Sequence, residues 1–80
     1  MMKSWEYIIK TRKSDIDYIN KIIEVHEGTA NVRTLNSEEG MVKILTNEFF
    51  LNDVELILEK LKKHGVVLEI LEKREWQGVL

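Results

Sequence analysis

The feature that most constrains the fold is a succession of six short segments whose apolar residues repeat with two different periods. Segments 5–12, 30–35, 41–46 and 66–76 are rich in β-branched and aromatic residues, which favour strands. The stretch from Ser14 to Gly28 and the segment 50–65 instead place apolar residues three and four positions apart, as on one face of a helix, and each ends at a glycine. The predicted order is strand, helix, strand, strand, helix, strand.

Polar residues at the start of each helical segment predict caps. Ser14, with Asp17 three residues later, and Asn52, with Glu55, are two such pairs. The loop NSEEG between the second and third strands is polar and ends in glycine, which is typical of a hairpin.

Connections this short, with right-handed crossovers, predict an α+β fold of the ferredoxin-like type. In this βαββαβ sandwich a four-stranded antiparallel sheet in the order 4-1-3-2 carries both helices on one face. We expect a single domain over residues 1–80. A domain of this size buries only about 60–65% of the surface of its unfolded chain, so pairing with a second copy would add stability.

The sequence resembles the ACT-like branch of ferredoxin-like domains. The stretch VHEGTANVRTLNSEEGMVKILT also resembles a family of short bacterial proteins known only as a domain of unknown function. This resemblance covers most of the chain and implies the fold without an activity. ACT domains often bind amino acids with a glycine-containing turn after the first strand, whereas the corresponding turn here, TRKSD, contains no glycine.

Alternation along the strands predicts which side chains face the helices and which face the open side of the sheet. The register that gives two charge pairs between the first and last strands sets Ile9 opposite Ile70, Lys10 opposite Glu69 and Glu6 opposite Lys73. A register two residues away matches the core slightly better but loses both charge pairs. The first of these registers places Trp76 beside Trp5 at the end of the core, with Arg74 stacked on the ring.

The open sheet face is predicted to carry more apolar residues than a solvated face needs. These predicted interface residues are Ile8, Leu35, Met41, Leu45, Val67 and Leu71, among the basic residues Lys10, Arg12, Arg33, Lys43 and Lys73. Val79 and Leu80 at the end of the sequence could join them by reaching a neighbouring molecule. We therefore expect a homo-oligomer that associates through this face or through the edge of segment 66–76.

An alternative function is the binding of a small anionic metabolite at the turn 11–15. Arg12, Lys13 and Ser14 stand at a predicted helix start, where free backbone amides favour an anion. The topology brings the end of the second helix, with Lys62, Lys63 and His64, to the same end of the domain. A simpler interpretation is that Ser14 only caps the helix while Asp15 and Asp17 satisfy its dipole.

Composition argues against several other functions. A net charge of −2 and a sheet face without Trp or Tyr argue against nucleic-acid binding. The absence of cysteine removes disulfides and thiolate chemistry. His26 and His64 end antiparallel helices, so they are expected at opposite ends and not in one metal site. For nucleophilic catalysis Ser14 would need a nearby base held by a third group, and only His64 could serve. Because the serine is better explained as a cap, we expect no enzyme activity and no cofactor. No apolar run is long enough for a membrane span and the first residues are no signal peptide, so we expect a cytoplasmic protein.

Overall fold

The computed structural model describes residues 3–26 and 28–76. Its strands and helices follow one another in the predicted order. The elements are β1 (Ser4–Thr11), a 3₁₀ turn (Lys13–Asp15), α1 (Ile16–Val25), β2 (Ala30–Asn36), β3 (Met41–Asn47), a second 3₁₀ turn (Glu48–Phe50), α2 (Leu51–Lys63) and β4 (Leu68–Glu75). The strands form one antiparallel sheet in the order β2-β3-β1-β4. This confirms the ferredoxin-like βαββαβ fold and the strand order 4-1-3-2.

The core lies between the sheet and the two helices. Alternate residues of the central strands β1 and β3 point into it, and Tyr7, Ile9 and Ile44 are fully buried there. The helices cover them with residues spaced three and four apart, as the sequence predicts: Ile19, Ile23, Val54, Ile57, Leu58 and Leu61. The opposite face of the sheet carries no helix in the described part of the chain.

Both helices begin differently from the prediction. Ser14 lies inside the 3₁₀ turn that precedes α1, and neither that turn nor α1 has a side-chain cap. Asn52 lies within α2, whose N-cap position is held by Phe50. The cap is instead supplied one turn earlier, where the Asn47 side chain accepts a hydrogen bond of 3.0 Å from the backbone amide of Phe49.

The β2–β3 hairpin contacts the end of β1 closely at Gly40. The Gly40 carbonyl accepts a 2.8 Å hydrogen bond from the Thr11 amide, and Gly40 has a φ of +68°. A β-carbon at this position would lie 1.8 Å from the Thr11 carbonyl oxygen. Lys13 adds an ion pair of 2.6 Å to Glu38 at the tip of the hairpin. Glycine is required here both by the left-handed conformation and by the lack of space.

The β1–β4 register agrees with the prediction at one end and departs from it at the other. Ile9 pairs with Ile70, and Lys10 with Glu69, as predicted. Ile8 then pairs with Glu72, so Leu71 is an extra residue that opposes no residue of β1, a strand described in full. This β-bulge shifts every later residue by one position. Ile70, predicted to be in the core, is 38% exposed on this edge strand.

The bulge makes the predicted Glu6–Lys73 pair wrong. Glu6 pairs with Arg74, and Lys73 instead lies opposite Tyr7 on the helix side of the sheet. The Lys73 ammonium there sits 5.7 Å from the centre of the Tyr7 ring and 6.0 Å from that of Trp5. It also forms a 3.0 Å ion pair with Glu55 of α2. These contacts favour the shifted register, because a regular register would turn Lys73 away from all three groups.

Candidate functional site: the open sheet face

The open sheet face contains a wide depression of about 660 Å³ that extends over all four strands. Because Tyr7 and Ile9 point into the core, their neighbours Glu6 and Ile8 point to the open side. The residues that line the depression include Glu6, Ile8, Leu35, Lys43, Arg74 and Trp76. The depression combines these apolar side chains with two cations and two carboxylates, because Glu75 also lines it.

The predicted interface residues within residues 3–26 and 28–76 differ in their exposure. Leu35, Val67 and Leu71 are exposed, whereas Ile8, Met41 and Leu45 are half-buried. Leu35 is 52% exposed. It is an extra residue in β2, because Thr34 pairs with Val42 and Asn36 with Met41. Val79 and Leu80 lie outside the described residues.

Trp76 lies on the opposite side of the sheet from the predicted position. It lines the open-face depression with Glu6 and Ile8, and its backbone amide donates a 2.9 Å hydrogen bond to the Ser4 carbonyl. The predicted contact of Arg74 with Trp5 is also wrong, since Lys73 is the cation near that ring. Both corrections follow from the extra residue Leu71, which exchanges the two faces for the rest of β4.

Trp76 lies on the open sheet face, where the sequence predicts neither Trp nor Tyr. The expectation of no nucleic-acid binding rested in part on a face without these rings. RNA-binding sheets stack two or three bases on several aromatic side chains, and one ring at the edge is not such a platform. The absence of a nucleic-acid partner stays a prediction.

Glu6 is a nearly buried carboxylate in the middle of this face. It is 5% exposed, although the sheet face around it is open. The Arg74 Nε donates a 2.5 Å hydrogen bond to Glu6 Oε1, and Lys43 Nζ lies 3.7 Å from Glu6 Oε2. Arg74 also pairs with Glu72 at 2.7 Å. The two cations offset the cost of burying the Glu6 charge, and the face presents both signs of charge to a partner.

A second polar cluster lies on the helix side of the sheet, around Tyr7. The Tyr7 hydroxyl donates a 3.0 Å hydrogen bond to Glu55 Oε2, the same oxygen that Lys73 Nζ approaches to 3.0 Å. Burial, together with the Glu55 carboxylate, raises the pKa of Tyr7 well above its usual range. The hydrogen bond from Lys73 lowers the pKa of Glu55. This cluster ties β1, β4 and α2 together and does not reach the open face.

A double-mutant cycle on Lys73 is expected to distinguish the observed register from the regular one. The Glu55→Gln and Lys73→Met pair should show a coupling of about 0.5 kcal/mol, as for a partly exposed ion pair, in urea unfolding near neutral pH. The lowered Glu55 pKa means that this stabilisation is present above the ordinary value of 4.5 and is lost as the pH falls below it. The Glu6→Gln and Lys73→Met pair should show almost none. Coupling of Lys73 to Glu6 instead of Glu55 would contradict the bulge.

The structure pairs the cations of the predicted anion site with carboxylates of the same chain. Arg12 Nε lies 3.0 Å from Asp15 Oδ2, and Lys13 Nζ lies 2.6 Å from Glu38 Oε1. Ser14 is exposed within the 3₁₀ turn and caps neither this turn nor α1. An anion at the turn would have to displace Asp15 and Glu38.

The remaining residues of that predicted site, Lys62, Lys63 and His64, are exposed at the end of α2. His64 lines a groove between the two helices, and so does His26. The helices are antiparallel, because α1 follows β1, α2 follows β3, and these two strands are antiparallel. The two histidines therefore lie towards opposite ends of this groove. Within the described residues no group of three or more His, Cys, Asp or Glu side chains could hold a metal ion.

Comparisons with known proteins give a family and no activity. A family model described as "Domain of unknown function (DUF4911)" matches residues 9–64. No curated protein and no solved structure matches the chain. None of the helices in the described ranges is long and apolar enough to cross a membrane.

Proposed function

Since the chain belongs to this family of unknown function, we propose its function from its surfaces alone: a non-catalytic interaction module that forms homodimers through the open sheet face. The observation that carries the proposal is the depression across all four strands, in which Ile8, Leu35 and Trp76 present apolar surface. We also propose a cytoplasmic location, as the sequence predicts, and a bacterial origin, as the family resemblance implies.

The exposed apolar surface of this small domain favours a second copy of the chain as the partner. Leu35, Val67 and Leu71 are exposed at the two sides of a face whose centre holds half-buried Ile8 and Leu45. A core of this size gains stability when it buries further apolar surface. The face carries the carboxylate of Glu6 and the cations of Lys43 and Arg74. In a twofold contact between two identical faces, the negative group of one copy can meet a positive group of the other.

The edge of β4 is a less favourable surface for self-association. Residues 72–75 are four consecutive charged side chains, and a bulge at Leu71 precedes them. Charges and bulges on an edge strand oppose pairing with another strand. We therefore place the contact on the face, where the same bulge puts Trp76.

Leu35→Glu is expected to convert dimers into monomers. A charge placed in an apolar contact must be desolvated, so the dissociation constant should rise at least about tenfold. Sedimentation velocity over a range of concentrations measures it. The matched control is Leu56→Glu, at a leucine of α2 that is 60% exposed on the helix layer. Circular dichroism should show that both variants are folded.

Two results would contradict the open-face dimer. One is a wild-type protein that stays monomeric at high concentration. The other is dissociation by Leu56→Glu to the same extent as by Leu35→Glu. Anion binding at the turn 11–15 remains the alternative, in second place because Asp15 and Glu38 already pair with its two cations.

A further inference from the structure

The groove between the helices is a second concave surface, on the layer opposite the open sheet face. Its volume is about 190 Å³. Much of its lining is apolar or aromatic: buried Ile57 and Leu61, half-buried Ile22, and the partly exposed ring of Tyr18. A volume below the roughly 300 Å³ of drug-sized ligand sites suits a small, mostly aliphatic molecule.

The polar side chains that line this groove are Lys60, His64 and His26, and the described part of the chain contributes no carboxylate to its lining. None of the three side chains makes a hydrogen bond or ion pair with another described residue. Arg12 and Lys13 differ in this respect, because each is paired with an acidic side chain. Lys60 is therefore a cation beside apolar surface whose charge is not offset by a described residue.

The spacing of the lining residues gives the groove a length and two distinct ends. Tyr18 and Ile22 of α1 and His26, directly after its end, follow one another at intervals of four residues and so span about 12 Å. Because the helices are antiparallel, Lys60 of α2 and His64, directly after its end, lie towards the Tyr18 end of the groove. The ammonium group of Lys60 therefore lies towards one end of the apolar part of the groove.

We propose that this groove binds a small amphiphilic carboxylate. The carboxylate pairs with Lys60 and His64, and the aliphatic body lies along Ile22, Ile57 and Leu61. The charge at the rim selects an anionic head group, and the apolar lining selects the body. This site is separate from the open-face dimer and does not depend on it.

Titration with three ligands of equal chain length tests the proposal. Octanoate, octylamine and octanol are added to ¹⁵N-labelled protein below their aggregation concentrations, and amide shifts are followed by NMR. Octanoate should shift amides of residues 18–26 and 57–64 and bind about fivefold more tightly than octylamine, as expected for one partly exposed charge pair. Equal affinity for octanoate and octylamine, or shifts confined to the sheet, would overturn the proposal.

Two lysine variants on the same helix sharpen this test. Lys60→Gln should weaken octanoate binding about threefold and leave octanol binding unchanged. Lys63→Gln removes a nearby exposed lysine that does not line the groove, and it should leave both affinities unchanged. Equal losses in the two variants would overturn the assignment to Lys60. The Leu35→Glu variant should still bind octanoate, so octanoate binding can be tested independently of whether the protein forms the dimer.

Discussion

Gly40→Ala is expected to destabilise the protein by about 3–5 kcal/mol, a large part of the stability of a domain this small. The new β-carbon would meet the Thr11 carbonyl oxygen at 1.8 Å and the Thr11 carbonyl carbon at 2.7 Å. Both are backbone atoms of the central strand and cannot rotate away. The hairpin would have to move off β1 and lose the Thr11–Gly40 hydrogen bond. Urea unfolding followed by circular dichroism measures the loss.

Gly65→Ala is the matched control for this prediction. Gly65 also has a positive φ, +90°, but an added β-carbon would meet nothing within 4 Å. It should therefore cost only about 1–2 kcal/mol for the left-handed conformation. If the two variants were equally stable, the contact between Gly40 and Thr11 would not be as close as the structure shows.

Tyr7→Phe is expected to change how the stability responds to alkaline pH. The raised pKa of Tyr7 means that the folded state keeps the hydroxyl protonated where the unfolded chain ionises. The contribution of Tyr7 to stability is therefore complete below the ordinary value of 10.0 and is lost as the pH rises above it. Near neutral pH the variant should lose about 1 kcal/mol with the hydrogen bond to Glu55.

Unfolding curves of wild type and Tyr7→Phe at increasing pH check this. Their difference in free energy of unfolding should shrink above pH 10 and then change sign. Tyr18→Phe is the control, because Tyr18 is 43% exposed and makes no hydrogen bond to a described residue. Its curve should run parallel to that of the wild type, since lysine deprotonation affects all three proteins alike. Parallel curves for Tyr7→Phe would contradict the role given to this hydroxyl.

The fold could be predicted from the sequence because its two apolar periods are unbroken wherever a segment packs on the core. On β3, Val42 and Ile44 lie two positions apart with Lys43 between them, so their burial on one face was predictable. The helix starts were not, because polar residues occur at several neighbouring positions. Asn47, Asn52 and Ser14 are all suitable caps by type, and the 3₁₀ turns decide which of them can act.

The register of β4 beyond Leu71 could not be predicted, for a physical reason that lies in the sequence itself. Residues 72–75 are all charged, so no apolar alternation indicates which of them faces the helices. Contacts that are distant in sequence, Lys73 with Glu55 and Arg74 with Glu6, accompany the observed register. The position of Trp76 follows from them. The groove between the helices could not be predicted either, because the distance between two helices depends on how their side chains pack.

The two extra residues, Leu35 in β2 and Leu71 in β4, lie in the two outer strands of the sheet. Each interrupts the ladder of backbone hydrogen bonds at the margin where a further strand would have to join. A sheet with regular margins can extend from molecule to molecule into a fibre. This sheet is irregular at both, so copies that meet through it are expected to form closed pairs and not filaments.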